Sequence, residues 1–164
     1  MANKKITDYD ELTAVASDDY LEIVDTSASA SKKISREILS GWHFLTSPLT
    51  STAWDGDLFS TTSKTLIDLS SVFGVPAGVK AILAQIMARD SGSSSSATAF
   101  FGLSPDNVDG SLSLMNTTRY IQNDLIVYNT AIVPCTSTGD VYYQIVASGS
   151  GTMDCWVRIW GYWL

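Results

Sequence analysis

The sequence predicts a mainly β protein, in which an antiparallel β-sandwich or jelly-roll body follows a small N-terminal α/β segment. Only 16% of the 164 residues are charged, and no glutamate follows Glu37. Because Glu and Lys are favoured on solvated helix faces, a helix-rich body is not expected. Short apolar segments with a period of two, separated by turns rich in Gly and Ser, indicate strands instead.

The charge distribution places a boundary near Ser40-Gly41. Thirteen of the 27 charged side chains lie in residues 1–40, although the remaining residues are three times as many. We therefore interpret residues 1–40 as a small charged head and residues 41–164 as the body. Forty residues bury little apolar surface on their own, so the head is expected to dock onto a partner, another copy or the body.

The head contains three short predicted pieces. The acidic run Asp8–Glu11 precedes Leu12, which suits one or two helical turns with acids at the positive end. Residues 20–25 alternate as a strand would, with Leu21 and Ile23 on one face. A polar loop is predicted over 26–31, and regular structure is expected to resume at 32–35. Ser35 is a suitable N-cap for a final helical turn over 36–39.

The body is predicted to consist of strands throughout. The candidate strands are 65–69, 79–89, 97–103, 112–115, 125–133, 141–147 and 153–164. The segment 79–89 is apolar on both faces, which favours a central strand, although its alanines would also permit a helix.

The last two segments are predicted to form a hairpin through the Ser148–Gly151 turn. Alternation along the final strand puts Trp163 on the face of Met153, Cys155, Val157 and Ile159, and Tyr162 on the face of Asp154, Trp156, Arg158 and Trp160. The apolar chain end is expected to be covered, either in the core or in a subunit interface.

Composition excludes several classes of function. The formal net charge is −7 and the sequence pI about 4.4, which argues against nucleic-acid binding, because that function needs a basic surface. No apolar run approaches the roughly 18 residues of a membrane span, so no membrane insertion is expected. The N-terminus lacks the apolar stretch of a signal peptide, so synthesis in the cytoplasm is expected.

Neither a metal nor a cofactor is expected. His43 is the single histidine, so a multi-histidine site is impossible, and Cys135 and Cys155 cannot make a four-cysteine zinc site. The two thiols are interpreted as inert core cysteines, although a disulfide after release into an oxidising medium stays open.

No catalytic motif is present, and the chain is not expected to be an enzyme. The G-x-S-x-G elbow is missing, so His43 is interpreted as structural or interfacial. Asp55 and Asp57 flank Gly56, but the rest of a calcium loop is absent, and a turn is favoured; Asp106 and Asp109 are interpreted in the same way. The body has no Glu for a glycosidase pair.

Aromatic side chains give the one positive hint of binding. They are Trp42, Trp54, Trp156, Trp160 and Trp163, with Tyr142, Tyr143 and Tyr162, and the C-terminal cluster among them is Trp156, Trp160, Tyr162 and Trp163. Flat apolar rings are enriched at protein interfaces and also stack on sugars, so both a subunit interface and a glycan site remain open, with core plus interface favoured.

The head carries a pattern that resembles a known module. The segments are Lys5–Leu12 (KITDYDEL), Asp18–Ser27 (DDYLEIVDTS) and Lys32–Ser35 (KKIS). They resemble a short module near the N-terminus of bacteriophage tail-fibre and related virion proteins. The body, with 139–147 (GDVYYQIVA) and 159–163 (IWGYW), is similar to C-terminal domains of phage fibre, capsid-fibre or decoration proteins.

The resemblance implies a homotrimer located in the virion, with the head attached to other capsid or tail proteins and the β body projecting outward. The head positions that match the pattern, and are therefore implied to attach, are Asp8, Leu12, Leu21, Ile23, Asp25, Lys33 and Ile34. The chain has no repeats and no shaft, unlike long tail fibres, so a capsid decoration (cement) protein or a short head fibre fits as well. A body that recognises a host-surface glycan is the alternative.

Overall fold

The computed structural model describes residues 20–24, 31–35, 41–93, 99–118 and 122–164. It divides the chain into two units, Met1–Gly41 and Trp42–Leu164. In the first unit, strands β1 (Tyr20–Val24) and β2 (Ser31–Ser35) pair antiparallel, with Leu21 opposite Ile34.

The strand predicted for the head is therefore confirmed as β1, and β2 is an additional strand. Leu21, Ile23, Lys33 and Ile34 lie in these two strands. Asp8, Leu12 and Asp25, together with the turns predicted for 8–15 and 36–39, lie outside the described residues.

The second unit is mainly β, as predicted, and the helical content of its described residues is one short helix, α1 (Leu69–Phe73), and one 3-10 turn, Thr52–Trp54. The strands in these residues are β3 (Trp42–Leu49), β4 (Asp55–Phe59), β5 (Thr65–Ile67), β6 (Ala81–Asp90), β7 (Phe100–Ser104), β8 (Leu114–Thr117), β9 (Val127–Pro134), β10 (Val141–Val146) and β11 (Met153–Trp163). Pairing between them is antiparallel throughout.

The strands form two sheets. One has the order β5-β10-β7-β8, and the other has the order β3-β11-β6-β9, with β4 also paired to β11. The pairs are nested along the chain: β3 with β11, β5 with β10, β6 with β9, and β7 with β8. The chain thus pairs its outer strands with each other and its inner strands with each other.

Side chains from both sheets enter one hydrophobic core. The four-stranded sheet contributes Phe101 and Ile145, and the five-stranded sheet contributes Ile82, Ile86 and Ile159, each with no exposed surface. Burying a side chain of this size stabilises the fold by about 1.5–3 kcal/mol, so residues of this kind hold the two sheets together.

Strand β6 lies between β11 and β9, which confirms the central strand predicted for 79–89. One of its faces is fully buried through Ile82, Ala84, Ile86 and Ala88. The opposite face is less completely covered, since Leu83 is only half-buried.

Two local predictions are wrong. Asp55-Gly56-Asp57 is not a turn but the start of β4, because the chain turns earlier, at the 3-10 turn over 52–54. The strand predicted for 65–69 ends at Ile67, since the Asp68 carboxylate accepts a hydrogen bond from the Ser71 amide (3.0 Å) and caps α1.

The predicted C-terminal hairpin is also wrong, because β10 and β11 belong to different sheets. Ser148 lies in the connection between them, and the buried carboxylate of Asp90 accepts hydrogen bonds from its amide and its hydroxyl. The turn rich in Gly and Ser therefore carries the chain from one sheet to the other.

A β-bulge in β11 corrects the predicted faces of the last strand. The register with β6 shifts between Ile159 and Gly161, which reverses the alternation beyond that point. Tyr162 consequently packs against the core, whereas Trp163 is 45% exposed. The core is thus excluded as the cover of Trp163, and a subunit interface stays a prediction.

Candidate functional site

The candidate site is the outer face of the five-stranded sheet, the face turned away from the core. Cross-strand pairing arranges its residues in rows. The first row is Trp42, Trp163, Ala81 and Pro134, and the second is Phe44, Gly161, Leu83 and Ile132. The third is Arg158, Gln85 and Thr130; the fourth is Asp55, Trp156, Met87 and Tyr128; the fifth is Asp154 and Arg89.

The first two rows, which we call the aromatic end, are uncharged and span the sheet from β3 to β9. The Trp42 ring stacks on Trp163 (centroids 6.0 Å apart) and on Phe44 (5.9 Å). Phe44 remains 73% exposed and Ile132 55% exposed. Exposed apolar side chains grouped in this way make the aromatic end a candidate interaction surface.

Gly161 allows β3 to approach β11 closely at the aromatic end. A Cβ atom built on Gly161 would lie 2.7 Å from the backbone oxygen of His43, closer than such atoms pack. The missing side chain therefore lets β3, which carries Trp42 and Phe44, pair with β11 beside the bulge.

The opposite end of the outer face is polar. The Arg89 guanidinium donates two hydrogen bonds to Asp154 Oδ2, and it lies 6.0 Å from the centre of the Trp156 ring. Asp154 Oδ1 accepts a hydrogen bond from the Leu58 amide (3.2 Å). Leu58 is 72% exposed at a φ of 66°, and it lines a cleft of about 320 Å³ with Arg89 and Asp154.

A second apolar surface follows the edge where β8 and β9 meet, and we call it the β8–β9 edge. It consists of Met115, Leu125, Ile126 and Tyr128, which are 40–59% exposed. Two asparagines join the strands here: Asn116 Nδ2 donates to the Val127 oxygen (3.2 Å), and Asn129 Nδ2 donates to the Met115 oxygen (2.9 Å). The sequence pattern did not signal this surface, because Met115 lies ten residues before Leu125 and the fold alone brings β8 beside the start of β9.

The four aromatic residues singled out from the sequence do not form one cluster. Trp163 belongs to the aromatic end, and Trp156 lies at the polar end beside Arg89. Tyr162 points inward, and Trp160 is half-buried at the bulge. Trp42, which was among the aromatic residues that hinted at binding, and Phe44 complete the aromatic end. Phe44 was missed because the strand Trp42–Leu49 was not predicted.

His43 stacks on Tyr162, with ring centroids 5.1 Å apart, on the inward side of β3. Its Nε2 atom is buried and has no hydrogen-bond partner among the described residues. A catalytic base needs a bonded nucleophile or substrate proton, and this geometry supplies neither, so the structural interpretation of His43 fits its position.

The two cysteines are free and far apart. Cys135 lies opposite Lys80, the residue before β6, and Cys155 lies opposite Ala88 within β6, a separation of about 26 Å at roughly 3.3 Å per residue. A disulfide needs Cα atoms about 4.4–6.8 Å apart, so these two cannot pair within the fold. Burial, reinforced by the negative charge of Asp140, raises the pKa of Cys135 to about 12.

The native thiols are expected to resist alkylation. Iodoacetamide reacts with the thiolate, and raising the pKa of Cys135 from 9.0 to about 12 lowers its thiolate fraction at pH 8 about a thousandfold. Burial and the nearby Asp154 and Asp90 charges raise the pKa of Cys155 further still. Mass spectrometry should find both cysteines unlabelled in native protein and fully labelled in urea; rapid native labelling of Cys135 would contradict this.

In the part of the chain that the structure describes, no group of three or more His, Cys, Asp or Glu is placed to hold a metal ion. Within the same residues, no helix is both long and apolar enough to cross a bilayer. Comparison with protein-family models and with curated proteins finds no match to this chain.

Proposed function

We propose that this chain is a non-enzymatic structural protein of a bacteriophage virion: a homotrimeric capsid decoration (cement) protein or a short head or tail fibre. The observation that carries the proposal is the aromatic end, an exposed apolar surface on an otherwise well-packed sheet. Burial of such a surface against another chain drives association. The resemblance of the head to phage fibre modules supplies the virion context.

The body is proposed to be a β-sandwich of the jelly-roll type. Nested pairing of first strand with last, and so on inward, is what results when one long antiparallel hairpin is rolled into two sheets. The pairs β3–β11, β5–β10, β6–β9 and β7–β8 support this assignment. Jelly rolls are common in viral capsid proteins and in lectins, which is consistent with either a coat or a receptor-binding role.

The N-terminal unit is proposed to attach the body to other virion proteins. Its described part is one pair of five-residue strands, β1 and β2. A two-stranded hairpin is marginally stable on its own in water, so contact with a partner would stabilise it. The implied attachment residues Leu21, Ile23, Lys33 and Ile34 lie in these strands.

Sedimentation and virion incorporation test the proposal. At micromolar concentration the purified protein is expected to sediment at about three times 17.7 kDa. Deleting residues 1–40 should abolish incorporation into particles, while circular dichroism shows that the body stays folded. A monomeric wild-type protein, or full incorporation of the truncated chain, would contradict the proposal, and antibody labelling of particles distinguishes capsid from tail.

Recognition of a host-surface glycan is the second candidate function. The observation that favours it is the polar end, where the face of Trp156 lies beside the Arg89–Asp154 pair and the adjoining cleft. Sugars stack on aromatic faces and hydrogen-bond to such planar polar groups. A glycan array without hits, together with unchanged host adsorption of particles carrying Trp156→Ala, would exclude it.

A further inference from the structure

Three-fold symmetry places a requirement on the surface of the body. In a closed ring of three identical chains each contact is heterologous, so every chain must present two different surfaces that fit each other. This step rests on the proposed homotrimer. The body should therefore carry two separate apolar surfaces rather than one.

Two such surfaces are present. Among the described residues, the large apolar side chains that are exposed fall mainly into the aromatic end, with Phe44, Ile132 and Trp163, and the β8–β9 edge. Along β9, Ile132 and Tyr128 are about 13 Å apart, and the polar third row lies between them. The two surfaces are thus distinct, and neither covers the other within one chain.

The net charges beside the two surfaces are opposite: Lys80, Arg158 and Asp140 lie near the aromatic end, whereas Asp124 lines a cleft with Arg89 and Asp154 near the β8–β9 edge. Lys80 flanks the aromatic end, where its amide donates to the Trp163 oxygen (2.7 Å), and Arg158 lies in the adjoining row; both side chains are exposed. Asp124, also exposed, directly precedes Leu125 of the β8–β9 edge. Asp140, at the same end of the body as Lys80, already accepts hydrogen bonds from the Leu69 amide and the Thr138 hydroxyl.

Charge complementarity decides between the ways in which copies could meet. Contact of two aromatic ends would bring Lys80 and Arg158 toward their own equivalents, and contact of two β8–β9 edges would bring two copies of Asp124 together. Contact of one surface with the other places basic groups opposite an acid, which favours association and fixes its direction.

We propose that the aromatic end of one copy packs against the β8–β9 edge of the next copy, closing a ring of three. Each contact buries Phe44 and Trp163 of one chain against Ile126 and Tyr128 of its neighbour. All three copies then use both surfaces, and no apolar surface of either kind remains uncovered.

Complementation between two variants tests this arrangement. Phe44→Glu places a charge in the aromatic end, and Ile126→Glu places one in the β8–β9 edge; both side chains are exposed in the single chain, so folding is retained. Leu66→Glu is the matched control, because Leu66 is 47% exposed on β5, outside both surfaces. Sedimentation measures the mass of each variant and of mixtures, and circular dichroism checks that each is folded.

The expected result is that each of the two variants alone is monomeric and that the Leu66→Glu protein stays trimeric. An equimolar mixture of the two variants should form a heterodimer of about twice 17.7 kDa, because one intact contact remains between them. If the wild type is trimeric but either variant alone keeps the trimer mass, or the mixture stays monomeric, the arrangement is wrong while the trimer stands. A monomeric wild type would instead overturn the proposed function.

Discussion

Replacing Asp90 with alanine is expected to lower the free energy of unfolding of the body by about 3–5 kcal/mol, the largest effect we expect from a single polar residue. The Asp90 side chain has no exposed surface. Its carboxylate accepts hydrogen bonds from the Gly92 amide (2.7 Å), the Ser148 amide (2.9 Å) and the Ser148 hydroxyl. Alanine would leave these partly buried donors without their acceptor and would open a cavity where the buried carboxylate lies.

Asp90→Asn separates the hydrogen bonding from the packing. Asparagine keeps the shape but turns one acceptor atom into a donor, which must then face the amide of Gly92 or of Ser148. We expect a loss of about 1–3 kcal/mol, intermediate between alanine and wild type. Asp109→Ala, at an exposed position, is the control and should change stability by less than about 0.5 kcal/mol.

Thermal and urea unfolding measure this series. For a body of this size, the Asp90→Ala variant should unfold about 12–20 °C below the wild type. A midpoint within a few degrees of the wild type, in either Asp90 variant, would show that water replaces the carboxylate without cost. That result would contradict the role of Asp90 in holding the connection between β10 and β11.

Asp90 also explains why the fold was only partly predictable. Apolar alternation correctly identified β6, β10 and β11, because each must bury one face. The Gly- and Ser-rich sequence Ser148–Gly151 is compatible both with a hairpin turn and with a connection between two sheets. What decides between them is a buried hydrogen bond from Ser148 to a carboxylate 58 residues earlier, and such a contact leaves no periodic signal.

The candidate site, like the fold, was only partly predictable from the sequence. For the C-terminal aromatic residues the sequence favoured the core plus an interface, with a glycan site left open, and the structure places Trp163 on an exposed apolar surface. However, a one-residue bulge near Trp160 exchanges the faces on which Tyr162 and Trp163 lie. The alternation of apolar and polar residues in the sequence does not reveal such an extra residue in one strand. The remainder of the aromatic end comes from β3 and β9, distant in the chain and assembled only by sheet pairing.

Lys64→Met is the second substitution with a large expected effect, a loss of about 2–4 kcal/mol in the free energy of unfolding. The Lys64 side chain is only 1% exposed. Its Nζ atom lies within hydrogen-bond distance of the backbone oxygens of Asp106 (3.2 Å), Val108 and Ser111 (2.8 Å). Hydrogen bonds from a charged group contribute more than neutral ones, so methionine removes the interactions that hold the loop between β7 and β8.

Acid pH should act on the same loop through Asp106. Its carboxylate accepts hydrogen bonds from the Ser111 hydroxyl and the Val108 amide, which lower its pKa below the usual 3.8, with Lys64 adding a smaller effect. Because the pKa is lower in the folded state, this stabilisation is complete above the unfolded-state pKa and is lost as the pH falls through the folded-state value. The protection factors for hydrogen exchange in residues 105–113, each taken relative to the intrinsic exchange rate at the same pH, should therefore fall below about pH 3.8 and stay constant between pH 5 and 8.

Two further variants in the loop make the Lys64 prediction specific. Ser111→Ala keeps the backbone acceptors and loses only the hydroxyl, so we expect about 1 kcal/mol, while Asp109→Ala should be neutral. Denaturant unfolding should rank the loss as Lys64→Met, then Ser111→Ala, then Asp109→Ala. If Lys64→Met is no more destabilising than Ser111→Ala, the ammonium group does not hold the loop. The desolvation penalty of burying the Lys64 ammonium group would then not be offset by its hydrogen bonds, since a methionine of similar length would fill the same space without that penalty.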